Sequence, residues 1–247
     1  MTKMLISEMD AINIRESRRV YLDKEIDIRK MIHLKNFIKR INEESGLSLV
    51  LIDDGSAAFD SLTKSYGMFS GVRALVSLKG DSEDQYLDEK IGYYGEKLLI
   101  EAVRLNLGTC WVGGTFDEKS KIFDRKPGDR FIGVITMGYC NNEKSFREKI
   151  ISAAVHRKNR SMNEIYYSDT KNLPHKFIAG IKAIQKAPSA KNSQPVKLKY
   201  INHKVIIYVN ELNEFDFVDL GIAKYHFYVA TGTNFPLGNY AECLLQE

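Results

Sequence analysis

Three short stretches of this sequence carry residue types that could do chemistry. The first is Arg15-Glu16-Ser17-Arg18-Arg19. In an extended turn alternate residues share a side, so Arg15, Ser17 and Arg19 would face one way. Guanidinium forks bind phosphate bidentately, and a hydroxyl adds a third contact. The same spacing also suits a solvated basic turn ahead of a helix. The second stretch runs Leu107-Gly108-Thr109-Cys110-Trp111-Val112-Gly113-Gly114. Its paired glycines let a backbone approach a flat ligand closely, with N–H groups free to donate. Trp111 could cover a ring or pack in a core. Cys110 has no histidine near it in sequence and reads as a small buried hydrophobe.

The third stretch, residues 187–196, reads Ala-Pro-Ser-Ala-Lys-Asn-Ser-Gln-Pro-Val. Ser189, Asn192, Ser193 and Gln194 supply a dense set of short-range donors and acceptors. Pro188 has no amide hydrogen, and Pro195 is expected to hold Gln194 extended. A plain helix-to-strand loop has the same composition. A further basic cluster contains Arg157, Lys158 and Arg160.

What is missing narrows the chemistry. There is no Gly-x-Gly-x-x-Gly, no Walker loop, no Gly-x-Ser-x-Gly elbow and no His-Glu-x-x-His. The histidines His33, His156, His175, His203 and His226 are scattered, and no carboxylate pair stands out. A chain without an acid–base or nucleophilic set suits cofactor chemistry, in which the protein supplies position and electrostatics.

The elements that must position these stretches follow from periodicity. Helical spacing of apolar residues predicts helices over 27–44, 85–106, 144–154 and 177–186, and a further one over 222–231. Leu107-Gly108 is a good helix stop. Short apolar runs predict strands over 47–52, 72–78 and 131–139, and alternation predicts strands over 197–209. Thr115-Phe116-Asp117-Glu118 fits a capping box, which predicts a short helix to Phe123. The chain also resembles itself. Asn36-Phe37-Ile38 matches Lys176-Phe177-Ile178, 140 positions on, and Lys90-Ile91-Gly92 matches Asp219-Leu220-Gly221, 129 positions on. Duplication of one α+β unit is the expectation, with a first half at 1–165 and a shorter second half at 166–247. Two copies in one chain would imitate a homodimer.

At 247 residues, 44% hydrophobic and 28% charged, the composition is that of a globular protein with a sizeable core. A net charge of +4 does not suggest nucleic acid or a membrane surface as partner. No apolar run reaches the roughly 20 residues needed to cross a bilayer. The N-terminal 14 residues lack an apolar signal core, so a cytoplasmic location is expected. Cys110, Cys140 and Cys243 are odd in number and far apart, which indicates neither a disulfide framework nor a metal site.

Together the stretches resemble the FMN-dependent nitroreductase family. Arg15-x-Ser17-x-Arg19-x-Tyr21 is similar to that family's N-terminal motif, and Ala187-Pro188-Ser189-x-x-Asn192-x-Gln194-Pro195 to its Ala-Pro-Ser motif. Gly108-x-x-Trp111 with Gly113 and Gly114, and the Gly138-Tyr139 strand end, complete the likeness. Two features depart from it. The Ala-Pro-Ser motif comes late in the chain, and Val196 replaces the usual tryptophan.

The resemblance implies an α+β nitroreductase-like fold of mainly antiparallel sheets flanked by helices, in a fused, pseudo-dimeric branch. It implies bound FMN, with its phosphate held by Arg15, Ser17 and Arg19 and closed on by Arg157 or Arg160. Gly113 and Gly114 would present a backbone N–H to the flavin ring, beside Trp111 and Val112. Pro188, Ser189, Ala190 and Asn192 would line the ring or ribityl chain, and Gln194 would brace their loop. It implies hydride transfer from NADH or NADPH to a small-molecule acceptor, a nitroaromatic, quinone or flavin, by a monomer without nucleic-acid or membrane partners. The alternative is a protein that holds FMN, or another phosphate-bearing ligand, without turnover.

Overall fold

This computed structural model describes residues 5–59, 68–146, 148–150 and 159–245. Among the described residues the chain divides into two compact units. The first is built from 5–7, 14–85 and 98–150, and the second from 159–245 together with 8–13 and 86–97. The sequence division at residue 165 follows the chain, whereas the second unit also takes in 8–13 and 86–97 from the N-terminal half.

In the first unit, helix α2 (Ile28–Ser45) starts where the Asp27 side chain accepts the Arg29 N–H, and ends at Gly46 with φ 75°. Met31, Leu34, Ile38 and Ile41 are buried at helical spacing. Four strands follow: β1 (Val50–Ile52), β2 (Ala74–Asp81), β3 (Gly108–Val112) and β4 (Asp129–Gly138). They lie in the order β1-β2-β4-β3, and every pairing is antiparallel. Strand β2 is buried on both faces from Ala74 to Gly80. Lys79 can sit there because its Nζ reaches Asp129 at 2.7 Å and the Asp124 carbonyl. The capped helix expected at 115–123 does not form. Phe116 and Phe123 turn instead into an aromatic cluster with Phe131, and the Asp117 N–H goes to the Ala58 carbonyl. Burying aromatic rings outweighs a few helical bonds and a cap.

The second unit contains helix α1 (Glu8–Ile14) up to Asn13, and then α4 (Met162–Ile165), β5 (Tyr166–Ser168) and α5 (His175–Ile184). The hairpin β6 (Lys197–Ile201) and β7 (Lys204–Tyr208), helix α6 (Asp216–Thr231) and β8 (Ala241–Leu244) complete it. Its sheet runs β5-β6-β7-β8, parallel between β5 and β6 and antiparallel elsewhere. The two-residue β6–β7 turn puts Asn202 and His203 at φ 51° and 64°, as tight hairpin turns require. Phe177, Leu198, Val205, Ile207, Leu220 and Phe227 form the core. The order helix, two strands, helix, strand recurs here as earlier along the chain, where α2, β1 and β2, α3 (Leu87–Arg104) and β3 follow one another.

The N-terminal half of α3 crosses α6 at two glycines. A Cβ on Gly92 would lie 2.0 Å from the Val218 carbonyl oxygen, and one on Gly221 2.0 Å from that of Glu89. Around this crossing, polar groups are buried in satisfied pairs. Lys224 Nζ meets Glu89 at 2.5 Å and the carbonyls of Pro236 and Gly238. His226 Nε2 meets Glu96 at 2.9 Å, and its Nδ1 faces the Ala183 carbonyl. His226 is thus a packed, satisfied histidine.

Candidate functional site

The basic turn of the first unit lies along β3. Ser17 bridges Thr109 in parallel, and the Arg18 N–H donates to the Thr109 carbonyl at 2.8 Å. Glycines make the approach possible. A Cβ on Gly108 would collide with Cys140 Sγ and press on the Arg18 side chain, and one on Gly138 would meet the Tyr21 ring. Tyr21 anchors the far end of the turn, its hydroxyl 2.7 Å from both the Arg18 carbonyl and Thr136 Oγ1.

Glu148 holds the turn from below. Its Oε1 accepts the N–H groups of Arg19 at 2.8 Å and Val20 at 3.2 Å, and the Arg18 Nε at 3.2 Å. Its Oε2 accepts the N–H and hydroxyl of Ser145. Burial opposes ionisation of this carboxyl. The N–H groups of Arg19, Ser145 and Val20 and the Arg18 guanidinium outweigh it and hold the group down to about 2.

The side chains of the turn divide as alternation demands. Arg18 is engaged by the protein, at Glu148 and at the carbonyls of Asn141 and Glu143. Arg15, Ser17 and Arg19 all act on the Cys110 thiol, Ser17 by a hydrogen bond. Burial pushes that thiol up, so Cys110 is an inert core residue. Arg15 carries the clearest signal. Its Nε and Nη1 are buried and have no hydrogen-bond partner, and neither has the Thr109 hydroxyl. Buried guanidinium N–H donors left unpaired are costly unless an acceptor meets them.

Beyond the turn, Trp111 is half-buried and pairs with Ile135 on β4, while the Val112 side chain enters the core. Gly113 and Gly114 are exposed at the end of β3, and a Cβ on Gly114 would meet nothing within 4 Å. The backbone is open there.

In the second unit, residues 187–196 join α5 to β6. Lys191, Asn192 and Gln194 all have left-handed φ, at 51°, 51° and 49°. Gln194 is therefore not extended before Pro195. Its N–H is tied to Ser189 Oγ at 3.0 Å, and its Oε1 accepts the Arg160 N–H at 2.9 Å. These bonds outweigh the local preference, at a cost of order 1 kcal/mol for each such residue. The Arg160 guanidinium reaches the Ser193 carbonyl, and Gln185 Nε2 donates to the Arg160 carbonyl. Asp219, in the first turns of α6, accepts the Ala190 N–H on both oxygens at 3.1 and 3.2 Å, and the Ser193 hydroxyl at 3.5 Å. Burial raises this carboxyl to about 8, with Asp216 adding to the rise and Ala190 and Ser193 opposing it. Val196 lies in the core of this unit.

Arg15, Ser17 and Arg19 are thus brought together, and Ser189, Ala190, Gln194 and Arg160 form a second cluster with Asn192 and Pro188 on the same loop. Arg157 lies outside the described residues. Two carboxylates escaped the sequence reading. Glu148 had a signal, since Ser145-x-x-Glu148 is a capping box. Asp219 had none that separated it from an ordinary first-turn acid. Among the described residues no three His, Cys, Asp or Glu side chains could hold a metal, and no helix is long and apolar enough to cross a membrane.

The family model described as "Putative TM nitroreductase" matches residues 8–231. A crystal structure described as a "putative nitroreductase" from Thermotoga maritima MSB8 superimposes with a TM-score of 0.65 at 20% identity, over 99% of this chain and 96% of that one. An "FMN-dependent Nitroreductase" from Clostridium difficile R20291 gives a TM-score of 0.44 at 16% identity, over 62% and 99%. A "Putative NADH Oxidase" from Clostridium acetobutylicum gives 0.44 at 21%, over 55% and 90%. No curated protein matches the chain at a significant level.

Proposed function

Because the chain belongs to the TM nitroreductase family, we propose that it is an FMN-dependent oxidoreductase. It would pass hydride from NADH or NADPH to a nitroaromatic, quinone or flavin acceptor. The observation that carries this reading is the pair of buried, unpartnered Arg15 nitrogens, Nε and Nη1, on the turn that also carries Ser17 and Arg19. The fit to a phosphate monoester is chemical. Two guanidinium forks and a hydroxyl match its charge and its acceptor oxygens, and the ligand would remove the orphaned donors.

Bound FMN would supply the hydride-accepting ring. The chain's own part is binding and electrostatics. Arg15, Ser17 and Arg19 hold the phosphate. The open backbone at Gly113 and Gly114 offers an N–H to the ring, where a fixed donor stabilises negative charge as it develops. In the second unit, the loop carrying Pro188, Ser189, Ala190 and Asn192 is braced by Gln194 with Arg160 beside it as a further cation, and by the family likeness its residues would contact ligand. No protein nucleophile is required.

The glycine crossing supports descent from a duplicated unit. Gly92 meets Val218 and Gly221 meets Glu89, so each contact becomes the other when both residues are shifted by the 129 positions seen in the sequence repeat. A self-reciprocal contact is what a two-fold dimer interface has.

An absorption spectrum tests the reading. Purified chain mixed with FMN and freed of excess should keep flavin bands and consume NADH or NADPH with a quinone or nitroaromatic. A colourless protein would overturn it. Bound flavin with no turnover of either nicotinamide would leave a binding protein.

A further inference from the structure

Among the described residues no cation pairs the buried carboxylate of Asp219, and its side-chain hydrogen bonds run to one place. Both oxygens take the Ala190 N–H and one takes the Ser193 hydroxyl. Burying a carboxylate without a cation costs stability. The group it holds is the loop whose Lys191, Asn192 and Gln194 are left-handed, a conformation that persists only when its surroundings impose it.

We propose that Asp219 is a positioning residue for this loop. Its carboxylate, reaching from α6 to the Ala190 N–H and the Ser193 hydroxyl, sets residues 189–194 in the conformation that receives the ligand. The proposal rests on the reading of this loop as an FMN-contacting segment.

The geometry makes the hold depend on charge. An ionised carboxylate accepts an amide N–H about twice as strongly as a neutral group does. Asp219 is poised to change charge near neutral pH, because burial raises it to about 8. Among the described residues the charged groups around it are few. Asp216, one turn back on α6, raises it further and is itself committed to the N–H groups of Leu212 and Asn213. From α3, Glu89 is neutralised by Lys224. The other residues lining the small cavity at Asp219, from Ile165 through the loop to Ala223, carry no charge. Glu148 offers the contrast. It takes the backbone N–H groups of Arg19, Ser145 and Val20 together with the Arg18 guanidinium, and these keep it ionised throughout the neutral range. The loop of the second unit is therefore the one whose anchor titrates.

The test has a readout that needs no flavin. In the FMN-free full chain, the amide resonance of Ala190 should shift with pH through a single midpoint near 8, and Asp219→Asn should abolish that shift. FMN affinity should fall about tenfold in Asp219→Asn at about pH 9 and much less at about pH 6. Ser193→Ala, which keeps the carboxylate, should retain the titration and lose less affinity. It also serves if Asp219→Asn does not fold. An Ala190 amide that does not titrate, or an Asp219→Asn protein that binds FMN as the wild type does at high pH, would overturn the proposal. A titrating Ala190 amide in a wild type that binds no FMN would support the hold on the loop and overturn the flavin reading instead.

Discussion

Gly92 and Gly221 sit at the crossing of α3 and α6, and each is pressed against a backbone carbonyl of the other helix. The added Cβ would stand 2.0 Å from Val218 O in one case and 2.0 Å from Glu89 O in the other. No rotamer relieves a clash with backbone.

Gly92→Ala and Gly221→Ala are therefore expected to destabilise the chain strongly, by about 3 kcal/mol or more each. Thermal or urea unfolding measures this. Either variant melting like the wild type would show that the crossing can open without cost.

Gly114→Ala is the counterpart. A Cβ there meets nothing within 4 Å, so stability should change by no more than about 0.5 kcal/mol. If FMN lies against this backbone, the methyl group intrudes on it, and flavin affinity or NADH turnover should fall while the melting curve stays put. Unchanged flavin binding and turnover would remove Gly114 from the site.

Arg15→Met should separate binding from folding. Nε and Nη1 of the wild-type guanidinium are buried without partners, so removing it should leave the ligand-free chain as stable or more so. FMN affinity should drop by one to two orders of magnitude, the worth of a charge-assisted phosphate contact of about 1.5–3 kcal/mol. Titration of flavin fluorescence reads the affinity. A variant that is destabilised and still binds FMN would give Arg15 a structural role only.

Glu148→Gln should loosen the basic turn. The folded carboxyl is held to about 2, below its ordinary 4.5, so its contribution is present above about pH 4.5 and is lost as pH falls through about 2. At neutral pH the variant should lose about 2–4 kcal/mol, because Arg18 and three backbone N–H groups lose their charged acceptor. Urea unfolding at about pH 7 and about pH 2.5 checks it, and the gap between variant and wild type should shrink at the lower pH.

Asp219 has the opposite sign. Raised from 3.8 to about 8, it keeps a proton in the folded chain that the unfolded chain releases. Its contribution is complete below about pH 4 and is lost as pH rises to about 8. In unfolding experiments Asp219→Asn should gain on the wild type between about pH 5 and about pH 8.5. Parallel stability curves would show that Asp219 does not titrate in the fold.

The long helices and the strands β1, β2 and β4 of the first sheet were legible because burial imposes periodicity, whereas β3, read only as a glycine-rich stretch, was not. Met31, Leu34, Ile38 and Ile41 on α2 advertise one face, and the run from Ala74 to Gly80 advertises a strand buried on both. The helix expected at 115–123 failed because a capping box states only local preference, while Phe116 and Phe123 had a core to enter. Gln194 failed likewise. A proline after it biases the backbone, but bonds to Ser189 and Arg160 decide it.

The sequence by itself determined the fold class, the family, the alternation that sets Arg15, Ser17 and Arg19 apart from Arg18, and the repeat that relates Gly92 to Gly221. All of these depend on residue type and spacing along one segment. Tertiary structure alone decided which groups complete those segments. Glu148 meets Arg19 across 129 positions, and Asp219 meets Ala190 across 29. A carboxylate's role depends on what it touches and how deeply it is buried, and neither is written in its neighbours along the chain. The same physics sends the two carboxylates opposite ways, Glu148 down among three backbone N–H groups and a guanidinium and Asp219 up where burial outweighs one N–H and a hydroxyl.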